Sequence, residues 1–177
     1  VVMKNKYILE NANYIESHNC EDRPDHSIID SIIIHCISLP ENEYNNNNVI
    51  NLFTNKLDIN LHDSFKELKN TKVSSHLFIK RHGELIQFVP LDKKAWHAGK
   101  SEYMNRENFN DFSIGIEMEG SVNDSYRDEQ YLTLKNTINQ LKKLFPSIQD
   151  SNILGHSDIA PGRKTDPGKY FLWDKIK

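Results

Sequence analysis

A short β-branched run, Ser31 to Ile37, is the segment that most restricts how this chain can fold. It contains three consecutive isoleucines, at positions 32–34, and lacks the polar and apolar alternation of a surface strand. A continuous apolar run of this length favours a central strand that is buried on both faces. The sequence therefore predicts a sheet built around this strand, and it places His35 where the buried part of the strand ends.

The hydrophobic pattern elsewhere predicts the elements that surround this strand. Ser113 to Glu119 alternates with period two, so that its large apolar side chains share one face and Glu117 and Glu119 share the other. Residues 128–145 repeat apolar side chains at three- and four-residue steps and form the longest predicted helix, which Pro146 ends. Shorter predictions are helices at 49–53 and 61–68 and an antiparallel hairpin of 76–80 with 85–89. These elements indicate an α/β fold: a single domain over residues 1–177, with a central mixed β-sheet flanked by helices.

Charge and composition exclude several classes of partner. The 177 residues carry a net charge of -3 with both signs interspersed, so neither nucleic acid nor an anionic membrane is an expected partner. No window approaches the ~18 apolar residues of a membrane span, and residues 1–17 carry charges in place of an apolar signal segment. The chain is predicted to be cytoplasmic, and no obligate protein partner is evident. Two cysteines are too few for a disulfide framework, so Cys20 and Cys36 are predicted to be free thiols.

Residues 156–166 concentrate the groups that can perform chemistry. The segment holds His156, Lys164 and Asp166 in a loop that prolines and a glycine keep from becoming a helix. A distant His35 would complete a set of two histidines and one aspartate, and hydrolytic zinc sites use three protein ligands with a fourth position for water. Each histidine alone is more often a backbone-bonded imidazole, and a charged loop alone is often a solvated turn. Their combination predicts a zinc site at the strand ends and the C-terminal loop.

Hydrolysis also needs a proton acceptor and a group that stabilises negative charge. Glu117 is a candidate for the first role and Lys164 for the second, because a carboxylate can accept a proton from metal-bound water and a lysine can hold a developing oxyanion. The pattern does not distinguish Glu117 from Glu119. Cys36 adjoins His35, but neighbouring residues of a strand point to opposite faces, so the thiol is not expected to share the ion.

Two histidine-containing segments remain after this assignment. Trp96 and His97, followed by an alanine and a glycine, form a plausible wall for a sugar, although a tryptophan that anchors a loop fits equally well. His76 heads a predicted strand and is interpreted as a core imidazole or as a residue behind the metal ligands. The other histidines are predicted to lie at the surface or in a turn: His18, His26, His62 and His82.

Several segments together resemble the AmpD amidases. They are residues 33–40, 73–76, 96–99, 110–120 and 155–168. These enzymes are cytoplasmic 1,6-anhydro-N-acetylmuramyl-L-alanine amidases with the type 2 amidase and peptidoglycan-recognition fold. The resemblance runs from about Tyr14 to Trp173. It implies hydrolysis of the lactyl amide between anhydro-muramic acid and L-alanine in small muropeptides during cell-wall recycling.

The same resemblance implies roles for individual residues. It implies Zn²⁺ as cofactor with ligands at His35, His156 and Asp166, and it implies Glu117 and Lys164 as the catalytic pair. Substrate contacts are expected at Arg163, Trp96, His97, Lys72 and Cys36. The family usually has asparagine at position 36 and arginine at positions 72 and 108, so an altered substrate affinity is expected, since lysine cannot reproduce a bidentate arginine contact.

Two alternatives stay open. A non-catalytic peptidoglycan binder of the same fold is one, although such binders lose a metal ligand and this chain offers the complete set. A zinc amidase that acts on the intact periplasmic wall is the other.

Overall fold

The computed structural model describes residues 5–177, which form one main sheet and two short strand pairs. The strands are β1 (Asn13–Tyr14), β2 (Cys20–Asp22), β3 (Ser31–Ile37), β4 (Leu77–Ile79), β5 (Leu85–Gln87), β6 (Lys93–Ala95), β7 (Glu102–Tyr103), β8 (Arg106–Glu107), β9 (Ser113–Glu119) and β10 (Ile153–Gly155). The α-helices are α1 (Asn48–Phe53), α2 (Asp128–Leu144) and α3 (His156–Ile159). Short 3-10 helices occupy Asp63–Leu68, Phe109–Asp111, Asp150–Asn152 and Trp173–Lys175.

The main sheet has the order β1-β5-β4-β9-β3-β10. Strand β3 lies between β9 and β10 and is parallel to both. Strand β4 is parallel to β9 but antiparallel to β5, so the sheet is mixed. The predicted α/β fold with a central mixed sheet is confirmed, and the predicted central strand has the observed bounds.

In the part of the chain that is described, no helix combines the length and apolar content needed to cross a bilayer.

The two faces of the sheet pack against different parts of the chain. Helix α2 covers one face, where the isoleucines at positions 32 and 34 of β3 join the apolar side chains of β9 and α2 in one core cluster. On the opposite face Ile33 packs with Phe109, Leu154 and Ile159. His35 follows Ile33 by two residues along a strand, so it also faces away from α2.

The remaining predicted elements are found with small shifts. Helix α2 begins at the predicted residue and ends one residue short of the predicted end at 145, and β4 and β5 form the expected antiparallel hairpin. Gly83 takes a positive φ of 89° in the hairpin turn, a conformation that glycine adopts without steric cost. Helix α1 confirms the prediction at 49–53. Of the helix predicted at 61–68, only Asp63–Leu68 is helical, and it is a 3-10 helix; because Phe65 is its one buried residue, few apolar contacts support a longer helix.

Strand β9 differs from a simple amphipathic strand. Its apolar side chains share one face, as predicted, and that face packs against α2, but its polar face is buried as well. Buried polar side chains need hydrogen-bonding partners. On this face Ser113 bonds to the carbonyl of Phe109 and contacts His97, and Glu119 accepts from the backbone N–H groups of Asn45 and Arg81.

Candidate metal centre

Three side chains that are distant in sequence meet at the end of β3. His35 belongs to β3, and His156 directly follows β10, the parallel neighbour of β3. Gly155 is paired with Ile34. The residues that follow them, His156 and His35, therefore lie at the same level at the end of the sheet. The loop after α3 then returns Asp166 to this point.

The ligand atoms of these residues form a compact triangle. The Nδ1 atoms of His35 and His156 are 2.9 Å apart, and Oδ2 of Asp166 lies 3.2 Å from each. A tetrahedral zinc site with bonds of about 2.0–2.1 Å has ligand atoms about 3.3 Å apart. The triangle therefore has nearly the spacing of three ligands of one zinc ion.

The protonation of the two rings supports the same interpretation. Nε2–H of His156 donates to the carbonyl of Ala98 at 2.9 Å, which leaves the lone pair of Nδ1 directed into the cluster. Burial lowers the pKa of His35 to about 4, so its ring is neutral at pH 7, as metal binding requires. Two nitrogen lone pairs and the carboxylate of Asp166 repel one another at these distances unless a cation lies between them. The donor set thus fits a divalent ion.

Glu117 adjoins this cluster. It is paired with His35 across β3 and β9, its side chain is buried, and its Oε2 atom has no hydrogen-bond partner among residues 5–177. Burial raises the pKa of Glu117 well above 4.5, the nearby charge of Asp166 raises it further, and Lys164 opposes both. A carboxylate with a free oxygen and a raised pKa is suited to take up a proton.

Glu119 has a different environment. Its Oε1 accepts a hydrogen bond from the backbone N–H of Asn45, and its Oε2 accepts one from the backbone N–H of Arg81, both at 2.7 Å. Each oxygen therefore already serves to hold the loop before α1 or the β4–β5 turn. Of the two carboxylates that the sequence pattern left open, this arrangement favours Glu117 for chemistry.

The cluster opens onto a cleft of about 570 Å³, whose wall brings together most of the expected substrate contacts. Four of the five expected contacts line the cleft: Cys36, Trp96, His97 and Arg163. The proposed catalytic Lys164, which is exposed, lines it as well. Lys72 is exposed and lies outside the cleft wall, although both of its neighbours in sequence contribute to that wall. Asn108 lines a separate cavity of about 830 Å³, which meets the cleft at Arg163.

The thiol of Cys36 stays protonated at this site. Burial raises its pKa to about 12, and no disulfide joins it to Cys20, since both cysteines are free. Among residues 5–177, the cluster that could hold a metal ion consists of His35, His156 and Asp166 and does not include Cys36.

His97 has contacts that the sequence analysis did not anticipate. Its Nδ1 atom lies 2.8 Å from Nε2 of His35, and its Nε2 atom lies 3.2 Å from Oγ of Ser113. The sequence predicted a role for the Trp96-His97 motif, but these partners belong to β3 and β9, which are distant in sequence, so the motif did not indicate them.

His76 occupies one of its two predicted places, that of a core imidazole. Its Nδ1 accepts a hydrogen bond from the backbone N–H of Gly115 at 3.0 Å.

A set of two buried imidazoles and one partly buried carboxylate beside an open cleft could hold a metal ion. The family described as N-acetylmuramoyl-L-alanine amidase matches residues 24–169. The chain belongs to this family and is an amidase.

Individual relatives agree with the family match. The 1,6-anhydro-N-acetylmuramyl-L-alanine amidase AmpD of Escherichia coli K12 is 43% identical over 169 residues, which cover 96% of this chain and 92% of that protein. The crystal structure of a selenomethionine derivative of AmpD matches with a TM-score of 0.94 and 41% identity, over 99% of this chain and 97% of that one. The amidase AmiD of E. coli, solved in complex with anhydro-N-acetylmuramic acid-L-Ala-D-gamma-Glu-L-Lys, matches with a TM-score of 0.61 and 25% identity, over 88% and 59% of the two chains.

Proposed function

We propose that this protein is a zinc-dependent amidase that cleaves the lactyl amide between 1,6-anhydro-N-acetylmuramic acid and L-alanine, in the cytoplasm, during peptidoglycan recycling. The observation that carries the proposal is the triangle of His35, His156 and Asp166 with Glu117 beside it. The identity to AmpD over almost the full length of both chains supports the anhydro-muropeptide as substrate. The muropeptide complex of AmiD supports the substrate class.

The metal and two side chains, Glu117 and Lys164, share the chemical work. His35, His156 and Asp166 would hold the zinc ion, which would supply an acidified water, with a pKa of about 7, and a Lewis acid for the carbonyl. Glu117 accepts the proton of the attacking water, for which its unpartnered oxygen and raised pKa are suited. Lys164 donates a hydrogen bond to the carbonyl oxygen as negative charge develops there. Glu117 then returns the proton to the alanine nitrogen as the C–N bond breaks, and the proton of the new carboxylic acid passes to the amine, which leaves a lactyl carboxylate and an ammonium group.

Arg163 is proposed to bind a carboxylate of the stem peptide. One of its terminal nitrogens, Nη2, donates to the carbonyls of Ala98 and Lys100, each at 2.7 Å. These contacts hold the guanidinium at the cleft, where its other N–H groups can pair with an anionic partner. Trp96 is proposed to contact the sugar from the wall of the same cleft. Substrate contacts of Cys36, His97 and Lys72 stay predictions.

Mass spectrometry of a defined anhydro-muropeptide tests the proposal. The purified protein should split the substrate into anhydro-muramic acid and peptide, a chelator should abolish the reaction, and added Zn²⁺ should restore it. An unaltered substrate mass in the presence of zinc-loaded protein would support the non-catalytic binder instead. Protein that retains full activity after complete metal removal would refute the metal-dependent mechanism.

The periplasmic alternative has its own comparison. Polymeric peptidoglycan and the soluble anhydro-muropeptide are offered to the zinc-loaded protein under the same conditions. We expect rapid cleavage of the soluble substrate and little release from the polymer. Comparable cleavage of both would favour an amidase that acts on the intact wall.

A further inference from the structure

We propose that His97 is a positioning residue that, together with Ser113, keeps His35 in the form that binds metal. The inference rests on the proposed zinc binding, because it concerns how one of the three ligands is held. A chain of hydrogen bonds lies behind His35, on the side away from the proposed ion.

One fixed end determines the direction of every hydrogen bond in this chain. The backbone carbonyl of Phe109 can only accept, so the hydroxyl of Ser113, at 2.5 Å, donates its proton to it. The hydroxyl oxygen is then left as an acceptor, and Nε2 of His97, at 3.2 Å, must carry the proton between them. A neutral ring with its proton on Nε2 has a bare Nδ1.

His35 is the next member of this chain of hydrogen bonds. The bare Nδ1 of His97 accepts from Nε2–H of His35 at 2.8 Å, so the proton of the His35 ring is held on the side away from the cluster. The lone pair of Nδ1 in His35 therefore points towards His156 and Asp166. The hydrogen bonds that begin at the carbonyl of Phe109 thus place the proton of His35 on Nε2 and leave its Nδ1 free to bind a metal.

Packing fixes the ring of His97 as firmly as the hydrogen bonds do. A Cβ atom added to Gly115 would lie 2.4 Å from Cγ of His97, so the imidazole occupies the space of the missing side chain. His35 and Ser113 are almost completely buried, which keeps water from replacing the imidazole as the acceptor. Glycine at position 115 is thus required for the contact between His97 and His35.

The two histidine ligands differ in what supports them. His156 donates to the backbone carbonyl of Ala98, which a side-chain substitution does not remove. His35 depends on the side chain of His97. The outer hydrogen bond of a metal-binding histidine contributes about 10–100-fold to metal affinity, so the loss of His97 should weaken zinc binding through His35 alone.

Zinc affinity in two variants of His97 tests the proposal. His97→Phe keeps an aromatic ring but removes the acceptor, and His97→Gln restores an acceptor without the ring. Competition with a chromophoric chelator should show a 10–100-fold weaker zinc Kd for His97→Phe and recovery towards the wild-type value for His97→Gln. The Tm of each metal-free variant shows whether the substitution causes a general loss of folding. The control His18→Phe, at an exposed site, should have the zinc Kd of the wild type.

The outcomes distinguish the two proposals. Wild-type protein that binds no zinc would refute the proposed function and this inference with it. Wild-type affinity in His97→Phe, or equally weak binding in both variants, would overturn only the role of His97 as an acceptor.

A second measurement needs no substitution. Long-range ¹H–¹⁵N spectra of the zinc-loaded wild-type protein should show both His35 and His97 with the proton on Nε2. A proton on Nδ1 of His97 would overturn the proposed direction of the chain, whatever the variants do.

Discussion

His35 and Glu117 are paired across the parallel strands β3 and β9, so a proposed ligand and the one buried carboxylate oxygen without a partner in residues 5–177 are side by side. Cross-strand pairs point to the same face of a sheet, here the face away from α2. Because both strands are held in the core, the separation of these two side chains is set by the sheet and does not depend on a loop. This relationship leads to the first two predictions.

Replacement of Glu117 by glutamine should separate catalysis from metal binding. Glu117→Gln keeps the size of the side chain but cannot accept the proton of water, so we expect turnover to fall by about 10²–10⁴-fold. Zinc content and zinc Kd should stay near the wild-type values, because Glu117 is not one of the three proposed ligands. Steady-state kinetics and metal analysis on the same preparation measure both quantities. Near-normal turnover would remove Glu117 from the mechanism.

The same substitution should stabilise the metal-free protein in a pH-dependent way. Burial raises the pKa of Glu117 above its unfolded value. Its contribution to stability is therefore fully present below the unfolded pKa, near 4.3, and is lost as pH rises through the folded pKa. Metal-free Glu117→Gln should have a higher Tm than metal-free wild type at pH 8, and the difference should disappear at pH 4. The exposed control Glu67→Gln should show no such trend, and a lower Tm of Glu117→Gln at pH 8 would contradict the prediction.

Glu119 should prove structural. Glu119→Ala removes the acceptor of two backbone N–H groups, that of the exposed Asn45 and that of the buried Arg81, and a buried donor left without a partner costs roughly 1–3 kcal/mol. We expect denaturant unfolding to show a loss of this size, with turnover of the folded protein changed only a few-fold. A loss of turnover as large as that of Glu117→Gln would show that the assignment of the two glutamates is wrong.

Lys164 should act on turnover more than on binding. Loss of one group that stabilises an oxyanion costs about 10²–10³-fold in kcat, so Lys164→Ala should lower kcat by this factor with a small change in KM. Lys169, another exposed lysine of the same C-terminal segment, provides the matched control, and Lys169→Ala should retain wild-type kinetics. Equal kinetic constants for both variants would exclude the proposed contact.

Arg163 should act on the stem peptide. Charge-assisted hydrogen bonds contribute about 1.5–3 kcal/mol, so Arg163→Ala should raise KM for a tripeptide substrate by about 10–100-fold. A substrate that carries only L-alanine should be affected less. Zinc content must be measured as well, because Arg163 and His156 donate to the same carbonyl of Ala98. An unchanged KM for the tripeptide substrate would reject the contact.

Local sequence determined the two central strands and the long helix of this fold. The β-branched run and the period-two segment predicted the observed bounds of β3 and β9, and the three- and four-residue periodicity predicted α2 to within one residue. Hydrophobic periodicity encodes which face of an element is buried, and this property depends only on nearby residues. The residue types of the C-terminal loop likewise indicated a metal site before any distance was known.

The tertiary structure alone decided which side chains meet. Register between β3 and β10 brings His35 level with His156, and hydrogen bonds to distant backbone groups distinguish Glu119 from Glu117. The contact between His97 and His35 joins residues 62 positions apart and depends on the absence of a side chain at Gly115. A one-dimensional pattern specifies the face on which a side chain lies, but strand order, register and packing above that face specify its neighbours.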